Sequence, residues 1–143
     1  MIIMLAAAVL LAGGGGAGWF LMKPKDGHAA AEHKAEKAEP PEYLQVEPFT
    51  VNLLPEGEPQ YLQIGMTLQV QGPKEAETIK ANMAKVRNRI LLILSGKKAS
   101  EIATVAGKTQ LAKEIVAATR EPFVPKGEPQ KVDDVLFTAF IIQ

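Results

Sequence analysis

The sequence YLQIGMTLQVQ, residues 61–71, has the clearest structural pattern in this chain. Large apolar side chains occupy every second position, and polar or small residues fill the positions between them. Because successive side chains of a strand point to opposite faces, this alternation predicts a β-strand with one buried face. The other face carries Gln and Thr but no charge, which suits either water or packing against another subunit. The predicted core residues are Leu62, Ile64, Met66, Leu68 and Val70.

A second predicted strand, from Tyr43 to Leu53, precedes this one. Its apolar residues also alternate, but their phase changes at Glu47-Pro48. A one-residue slip would turn the core face outward unless a bulge absorbs it, so we predict a bulge or kink at this point. The segment from Pro55 to Pro59 is rich in turn-forming residues, which favours an antiparallel hairpin between the two strands.

The apolar period becomes that of a helix after Gly72-Pro73. Spacings of three and four predict one long amphipathic helix that ends at Ser95-Gly96, where Gly would adopt the left-handed C-terminal conformation. The basic side chains fall mostly away from the buried stripe. That stripe consists of Ile79, Met83, Val86, Ile90, Ile93 and Leu94, and the basic residues are Lys80, Lys85, Arg87 and Arg89.

Two shorter helical segments follow. The first begins at Ser100-Glu101 and runs through Val105, and Gly107 is expected to interrupt it. The second runs from about Lys108 to Arg120, because Leu111 and Ile115 supply helical anchors and prolines follow soon afterwards.

The segment Val135–Ile142 is apolar on both strand phases. A strand that is covered on both faces has this pattern, so we predict a strand in the centre of the sheet. Together with the hairpin and the helices, it defines an α+β domain over residues 43–143.

The N-terminal residues 1–22 are predicted to form a transmembrane helix. Ile2 to Met22 are twenty-one residues without a charge, and Lys23-Pro24-Lys25 follow. At about 1.5 Å per residue, such a helix matches the thickness of a bilayer's hydrocarbon core. Small residues four positions apart predict a face for membrane-helix packing, made of Ala12, Gly14, Gly16 and Gly18. A cleaved signal sequence is the alternative, but it requires a basic start and a shorter apolar run.

Residues 23–42 are predicted to be a solvated spacer, since they carry charges of both signs and no large apolar side chain. The chain has 16 basic and 16 acidic residues, so its net charge is zero and does not indicate a nucleic-acid-binding surface. Lys23 and Lys25 directly follow the predicted membrane helix. By the positive-inside rule, these two charges would place the domain in the cytoplasm. Because no tail precedes the helix for comparison, charge alone leaves the topology open.

No catalytic, cofactor or metal site is predicted. The chain has no Cys and two His residues, His28 and His33, which both lie in the spacer. Asp133 and Asp134 are neighbours on a strand and would point to opposite faces. The run from Gly107 to Thr109 resembles the end of a phosphate-binding loop, but that motif requires Gly where Ile102 stands.

Five segments, in this order and spacing, resemble the flagellar basal-body-associated FliL family. They are Val51-Asn52-Leu53, Tyr61-Leu62-Gln63, Ile90-Leu91-Leu92-Ile93-Leu94-Ser95, Gly107-Lys108 ahead of Leu111, and Val135-Leu136-Phe137-Thr138-Ala139-Phe140-Ile141-Ile142-Gln143. The resemblance implies a single-pass inner-membrane protein with a periplasmic domain similar to the stomatin and prohibitin-type (SPFH) fold. It also implies a ring-forming partner of the flagellar stator units that supports torque and motility without performing chemistry.

The family's short basic cytoplasmic tail does not precede Ile2 in this sequence, so we expect a longer native N-terminus and a periplasmic domain. Two alternatives from other classes stay open. One is a secreted ligand-binding domain whose apolar run is cleaved near Ala31. The other is a membrane-anchored hydrolase, which would need a polar pocket that the sequence gives no residues to build.

Overall fold

Three antiparallel strands and four helices make up residues 39–143, the part of the chain that the computed structural model describes. The predicted membrane helix and most of the predicted spacer lie outside these residues. Within residues 39–143, none of the helices combines the length and apolarity that crossing a bilayer requires. In chain order the elements are β1 Pro41–Asn52, β2 Tyr61–Gln71, α1 Gly72–Ala81, α2 Met83–Ser95, α3 Ala99–Ile102, α4 Val105–Arg120 and β3 Val132–Ile142.

The strands β1 and β2 form the predicted antiparallel hairpin. Leu44 pairs with Leu68 on one side of a register shift, and Phe49 pairs with Ile64 on the other. The shift lies between Val46 and Phe49, which confirms the bulge at Glu47-Pro48. Both halves of β1 therefore direct their apolar side chains to the same face, despite the change of phase in the sequence.

The strand β2 lies in the centre of the sheet, between β1 and β3. Its alternation is confirmed, because all five predicted core residues have an exposed fraction of 1% or less. They form one core with the apolar stripes of the helices, among them Ile79, Ile90 and Leu111. The helices therefore cover one face of the sheet.

The prediction that Val135–Ile142 forms a central strand is wrong. The sheet order is β1-β2-β3, and within the described residues β3 pairs with β2 alone, so β3 is an edge strand. Its second apolar phase is not covered: Leu136 is 40% exposed and Ile141 is 46% exposed. The second apolar phase of β3 is therefore exposed at the surface, and the apolar pattern does not indicate burial on both faces.

The predicted long helix is divided in two at Asn82, which has φ −112° and ψ 22°. The Asn82 side chain donates to the carbonyl of Thr78 at 2.9 Å, a local bond that competes with the helical pattern. Both helices keep the predicted buried stripe. The second one ends at Ser95 as predicted, but Gly96 has φ −92° and is not left-handed.

Gly107 lies within the first turn of α4, so the prediction that it interrupts the helix is wrong. Thr104 is the N-cap residue, and its hydroxyl accepts a bond of 3.0 Å from the Gly107 amide. This cap starts the helix at Val105, three residues before the predicted start, because it satisfies a free amide of the first turn. The helix ends at Arg120, as predicted.

Candidate interaction surface

The face of the sheet that points away from the helices is exposed, and we call it the open face. It carries four large apolar or aromatic side chains: Tyr43 is 58% exposed, Tyr61 49%, Leu136 40% and Ile141 46%. Gln63, Thr67 and Gln69 lie between them, and none of the three strands of residues 39–143 contains Lys or Arg. An aromatic and amide surface of low charge is typical of protein contacts.

A close contact lies in the middle of the open face, where Gly65 on β2 meets Thr138 on β3. A Cβ atom at Gly65 would lie 2.8 Å from the Thr138 hydroxyl. The register between β2 and β3 shifts here, so Thr138 is the extra residue of a bulge. The Thr138 side chain thus fills the space that a side chain at Gly65 would occupy.

Arg87 on α2 holds the bulge of β1. Its guanidinium donates to the carbonyl of Glu47 at 2.6 Å, and it lies 4.2 Å from the centroid of the Phe49 ring. The bulge leaves a backbone carbonyl without a partner in the sheet, and a charged donor satisfies it. Arg87 thereby joins the helical layer to the edge of the sheet.

Lys85 and Arg89, on the same helix, bind the segment that follows α4. Lys85 donates to the carbonyl of Phe123 at 2.7 Å. Arg89 donates to the carbonyls of Ala118, Glu121 and Pro122 at 3.3, 2.7 and 2.8 Å. The sequence predicted only that these basic residues lie mostly away from the buried stripe, because partners about thirty to forty positions away in the chain leave no periodic signal.

The Gly107-Lys108 pair has a packing role in this structure. The Lys108 ammonium donates to the carbonyl of Ala103 at 2.8 Å and lies 4.8 Å from the centroid of the Phe140 ring. Gly107 approaches the carbonyl of Glu101 so closely that no Cβ atom fits between them. The pair therefore joins the end of α3 to the start of α4 and to β3.

The acidic pair on β3 has two separate partners. Asp133 accepts a bond of 2.7 Å from the side-chain amide of Gln71, and Asp134 accepts one of 2.8 Å from the amide of Val135. A cavity of about 390 Å³ lies beside them, against α4. Nowhere in residues 39–143 do three His, Cys, Asp or Glu side chains come together in a way that could hold a metal ion. The absence of catalytic, cofactor and metal sites stays a prediction, and His28 and His33 lie outside the described residues.

Glu56, in the hairpin loop, binds the start of α3. Its carboxylate accepts hydrogen bonds from the Ser100 hydroxyl and from the Ser100 amide, the latter at 3.0 Å. These two bonds favour the ionised carboxylate, and with a smaller contribution from the charge of Lys98 they lower the pKa of Glu56. The contact fixes the hairpin loop to the helical layer.

The predicted membrane-packing residues Ala12, Gly14, Gly16 and Gly18 lie outside the described residues and stay a prediction. Within the domain, the open face is the candidate functional surface, because four large apolar or aromatic side chains are exposed on it. The sequence indicated it through the uncharged phase of β2. It did not indicate that β3 adds Leu136 and Ile141 to the same face.

Comparison with known proteins identifies the class of this chain. A profile of the flagellar basal body-associated protein FliL matches residues 43–143. The flagellar protein FliL of Escherichia coli K12 is 35% identical over 117 residues, which is 80% of this chain and 74% of that protein. The flagellar protein FliL of Aquifex aeolicus is 34% identical over 114 residues, or 77% of this chain and 68% of that protein.

These matches define an accessory protein of the flagellar basal body, with a role in motility. The chain belongs to the FliL family, which confirms the resemblance that its five sequence segments indicated.

Proposed function

We propose that this chain is a non-enzymatic accessory protein of the flagellar motor that self-associates and contacts the stator units. In this role it supports torque generation during swimming and swarming. The observation that carries the proposal is the open face, an aromatic, amide-rich surface without basic residues in a FliL-family domain. Such a surface fits contacts with protein better than contacts with nucleic acid.

The proposed location is the inner membrane at the flagellar basal body, with a single membrane helix and the domain in the periplasm. The uncharged run from Ile2 to Met22 supports the membrane helix, and the charged residues 23–42 support a spacer that holds the domain away from the bilayer. In this arrangement Ala12, Gly14, Gly16 and Gly18 would face another membrane helix. The periplasmic domain would share the stomatin and prohibitin-type (SPFH) fold.

The motor role is tested with a substitution on the open face. Tyr61→Glu introduces a charge at a position that is 49% exposed, so we expect normal folding but slower motility in viscous medium. Val124→Glu is the matched control, since Val124 is 60% exposed and lies in the loop after α4. Motor speed under load is measured in a strain that produces each variant at equal level. Equal speeds for a deletion strain and wild type at high load would contradict the motor role.

The membrane anchor is tested by intact mass and by reporter fusions. A retained helix predicts a mass of 15.4 kDa for this chain when it is purified from membranes. Cleavage near Ala31 would remove the apolar run and would favour the secreted alternative. A periplasmic reporter fused after Gln143 should be active, and activity of a cytoplasmic reporter in its place would refute the topology.

A further inference from the structure

Both edges of the sheet are poorly suited to the addition of a strand. The β1 edge carries two prolines and the bulge at Glu47. The β3 edge carries two bulges, one at Thr138 and one at Asp133, where its register with β2 shifts. Bulges and prolines interrupt the ladder of backbone bonds that a new strand needs. A contact between copies of this chain is therefore expected on the faces of the domain rather than at the sheet edges.

The helix α2 presents a row of exposed residues on the side of the domain opposite the open face. Its buried residues, Val86, Ile90 and Leu94, follow helical spacing and belong to the core beneath the helix. The exposed residues of α2 lie away from this stripe, and we call them the α2 ridge: Ala84, Lys85, Asn88, Leu91, Leu92 and Ser95. Leu92 is 67% exposed and Leu91 is 41% exposed. The ridge therefore carries two adjacent leucines at the surface.

The α2 ridge runs in the direction of the strands. Arg87 donates to the carbonyl of Glu47 on β1, and ten positions further along the chain the carbonyl of Lys97 accepts a bond of 2.8 Å from the Leu54 amide. The helix and β1 therefore advance together from one end of the sheet to the other. A helix packed on a face of a sheet is the arrangement that buries both elements in layered domains. The ridge has the alignment that packing along the open face of another copy requires.

The charges of the two surfaces are complementary. The three strands of residues 39–143 contain no Lys or Arg, and the carboxylates of Asp133 and Asp134 accept bonds only from uncharged amides in this domain. The helix α2 contains no Asp or Glu, and its basic residues donate to neutral backbone carbonyls; these residues are Lys85, Arg87 and Arg89. An acidic sheet surface and a basic helix surface attract each other and fix their relative orientation.

The apolar residues of both surfaces lie at the same end of the domain, the end with the hairpin loop. On the open face, Tyr61 directly follows this loop, and Ile141 lies near the end of β3, which pairs with the start of β2. On the ridge, Leu92 lies in the last turn of α2, close to the bond between Lys97 and Leu54. Exposed leucine, isoleucine and tyrosine side chains are thus available at the same height on two opposite sides.

The charged residues lie towards the other end on both surfaces. Asp133 and Asp134 are at the start of β3. Lys85 is in the first turn of α2 and donates to Phe123, in the segment that leads from α4 to β3. The apolar and charged regions therefore follow each other in the same order along the α2 ridge and along the open face. Two copies in the same orientation align both regions at once, and this match argues for a second copy as the occupant of the open face.

We infer that copies of this chain stack head to tail, with the α2 ridge of one copy against the open face of the next. This inference rests on the self-association in the proposed function and specifies its interface. Leu92 covers Tyr61 and Ile141 of the next copy, and Lys85 lies towards Asp134 of that copy. Because the two surfaces differ and lie on opposite sides of the domain, each bound copy still presents one free surface. The contact does not close at two copies, and it permits a ring.

The inference is tested by blocking one surface at a time in the full-length chain. Leu92→Glu blocks the ridge and Ile141→Glu blocks the open face, at positions 67% and 46% exposed where we expect the fold to stay intact. Either change puts a carboxylate without a partner into the contact, so the dissociation constant of self-association should rise at least about tenfold for each variant alone. An equimolar mixture of the two variants retains one intact pair of surfaces. It should form a heterodimer that does not grow further.

Sedimentation in detergent of the wild type, of each variant and of the mixture measures these species. Val105→Glu is the matched control, because Val105 is 82% exposed and lies on α4, and it should leave self-association unchanged. Wild-type association by Leu92→Glu, or a mixture without a heterodimer, would overturn this interface and leave self-association intact. A wild-type chain that is a monomer at all concentrations would overturn both proposals and assign the two surfaces to a different protein.

A pair of cysteines tests the same contact without an added charge, since the chain has no Cys of its own. Leu92→Cys with Ile141→Cys in one chain places the thiols on opposite sides of the domain, where a short bismaleimide cannot join them within one copy. Head-to-tail stacking predicts a ladder of covalent dimers, trimers and larger species. Cross-linking that stops at the dimer would indicate a two-fold contact and would overturn the inference.

The matched control for the ladder carries the same number of thiols. Leu92→Cys with Val105→Cys places both on exposed positions of the helical layer, so neither thiol lies on the open face. We expect little cross-linking of any size in this variant. A ladder equal to that of the test variant would show that the thiols react by random collision, which would refute the assignment of the two surfaces.

Discussion

The guanidinium of Arg89 lies over the ring of Phe123, with 5.2 Å between Cζ and the ring centroid. The same guanidinium donates to the carbonyls of Glu121 and Pro122, just after the end of α4. The last carbonyls of a helix have no partner within it, and a cation near them is favourable. Arg89 therefore stabilises the end of α4 and fixes the loop that carries Phe123 into the core.

Replacement of Arg89 should destabilise the domain. Arg89→Met leaves three carbonyls without their charged donor, and we expect a loss of about 2 kcal/mol in the free energy of unfolding. Arg89→Lys should recover only part of it, because an ammonium cannot reproduce the planar fork. The measurement is urea denaturation of the full-length chain, with Lys80→Met on the exposed face of α1 as control. A loss equal to that of the control would contradict this role.

The close approach of Gly107 to Glu101 predicts that this position tolerates no side chain. In Gly107→Ala the new Cβ would collide with a backbone carbonyl, so the two helices must separate, at a cost of about 3 kcal/mol. Gly96→Ala is the matched control, because its Cβ would lie 3.6 Å from the nearest atom, an ordinary contact. Thermal unfolding of both variants checks the difference, and similar melting temperatures would show that α3 is free to move.

The contact between Gly65 and Thr138 predicts a coupled pair of substitutions. Gly65→Ala places a methyl group 2.8 Å from the Thr138 hydroxyl, and we expect a loss of about 1–3 kcal/mol. Thr138→Ala removes that hydroxyl, so Gly65→Ala should cost much less when both changes are combined. A double-mutant cycle by denaturation measures the coupling. Strictly additive losses would mean that the two residues do not compete for space.

The lowered pKa of Glu56 predicts a pH-dependent contribution to stability. Ser100 favours the ionised carboxylate, so the contribution is present above the ordinary Glu value of 4.5 and is lost as the pH falls through the lower folded pKa. Glu56→Gln should therefore have a lower melting temperature than wild type at about pH 6, and the difference should narrow towards about pH 3. A difference that is independent of pH would mean that Glu56 acts without its charge.

The sequence predicted the parts of the fold that follow a local pattern. The alternation in β2 specified its buried face, and the phase change at Glu47-Pro48 specified the bulge, since both depend only on neighbouring residues. The position of β3 could not be predicted in this way. Apolar residues on both phases of Val135–Ile142 fit a covered strand and an apolar edge equally well, and only the pairing distinguishes the two.

The contacts of the basic residues also could not be predicted from the sequence. Arg87 and Arg89 donate to backbone carbonyls. Because every residue has a backbone carbonyl, the amino-acid types in the sequence do not show which residues are the acceptors. The candidate surface was predictable in part, because the uncharged phase of β2 is visible in the sequence. Its extension by Leu136 and Ile141 depends on the register between β2 and β3.

The central position of β2 determines when this domain can fold during synthesis. Its neighbour β1 is synthesised before β2. Its other neighbour, β3 at residues 132–142, is synthesised only after the four helices of residues 39–143. The backbone bonds between Tyr61 and Gln143 span eighty-two positions and close the longest loop of the sheet. The chain should therefore remain without a complete core until its C-terminal strand has been synthesised.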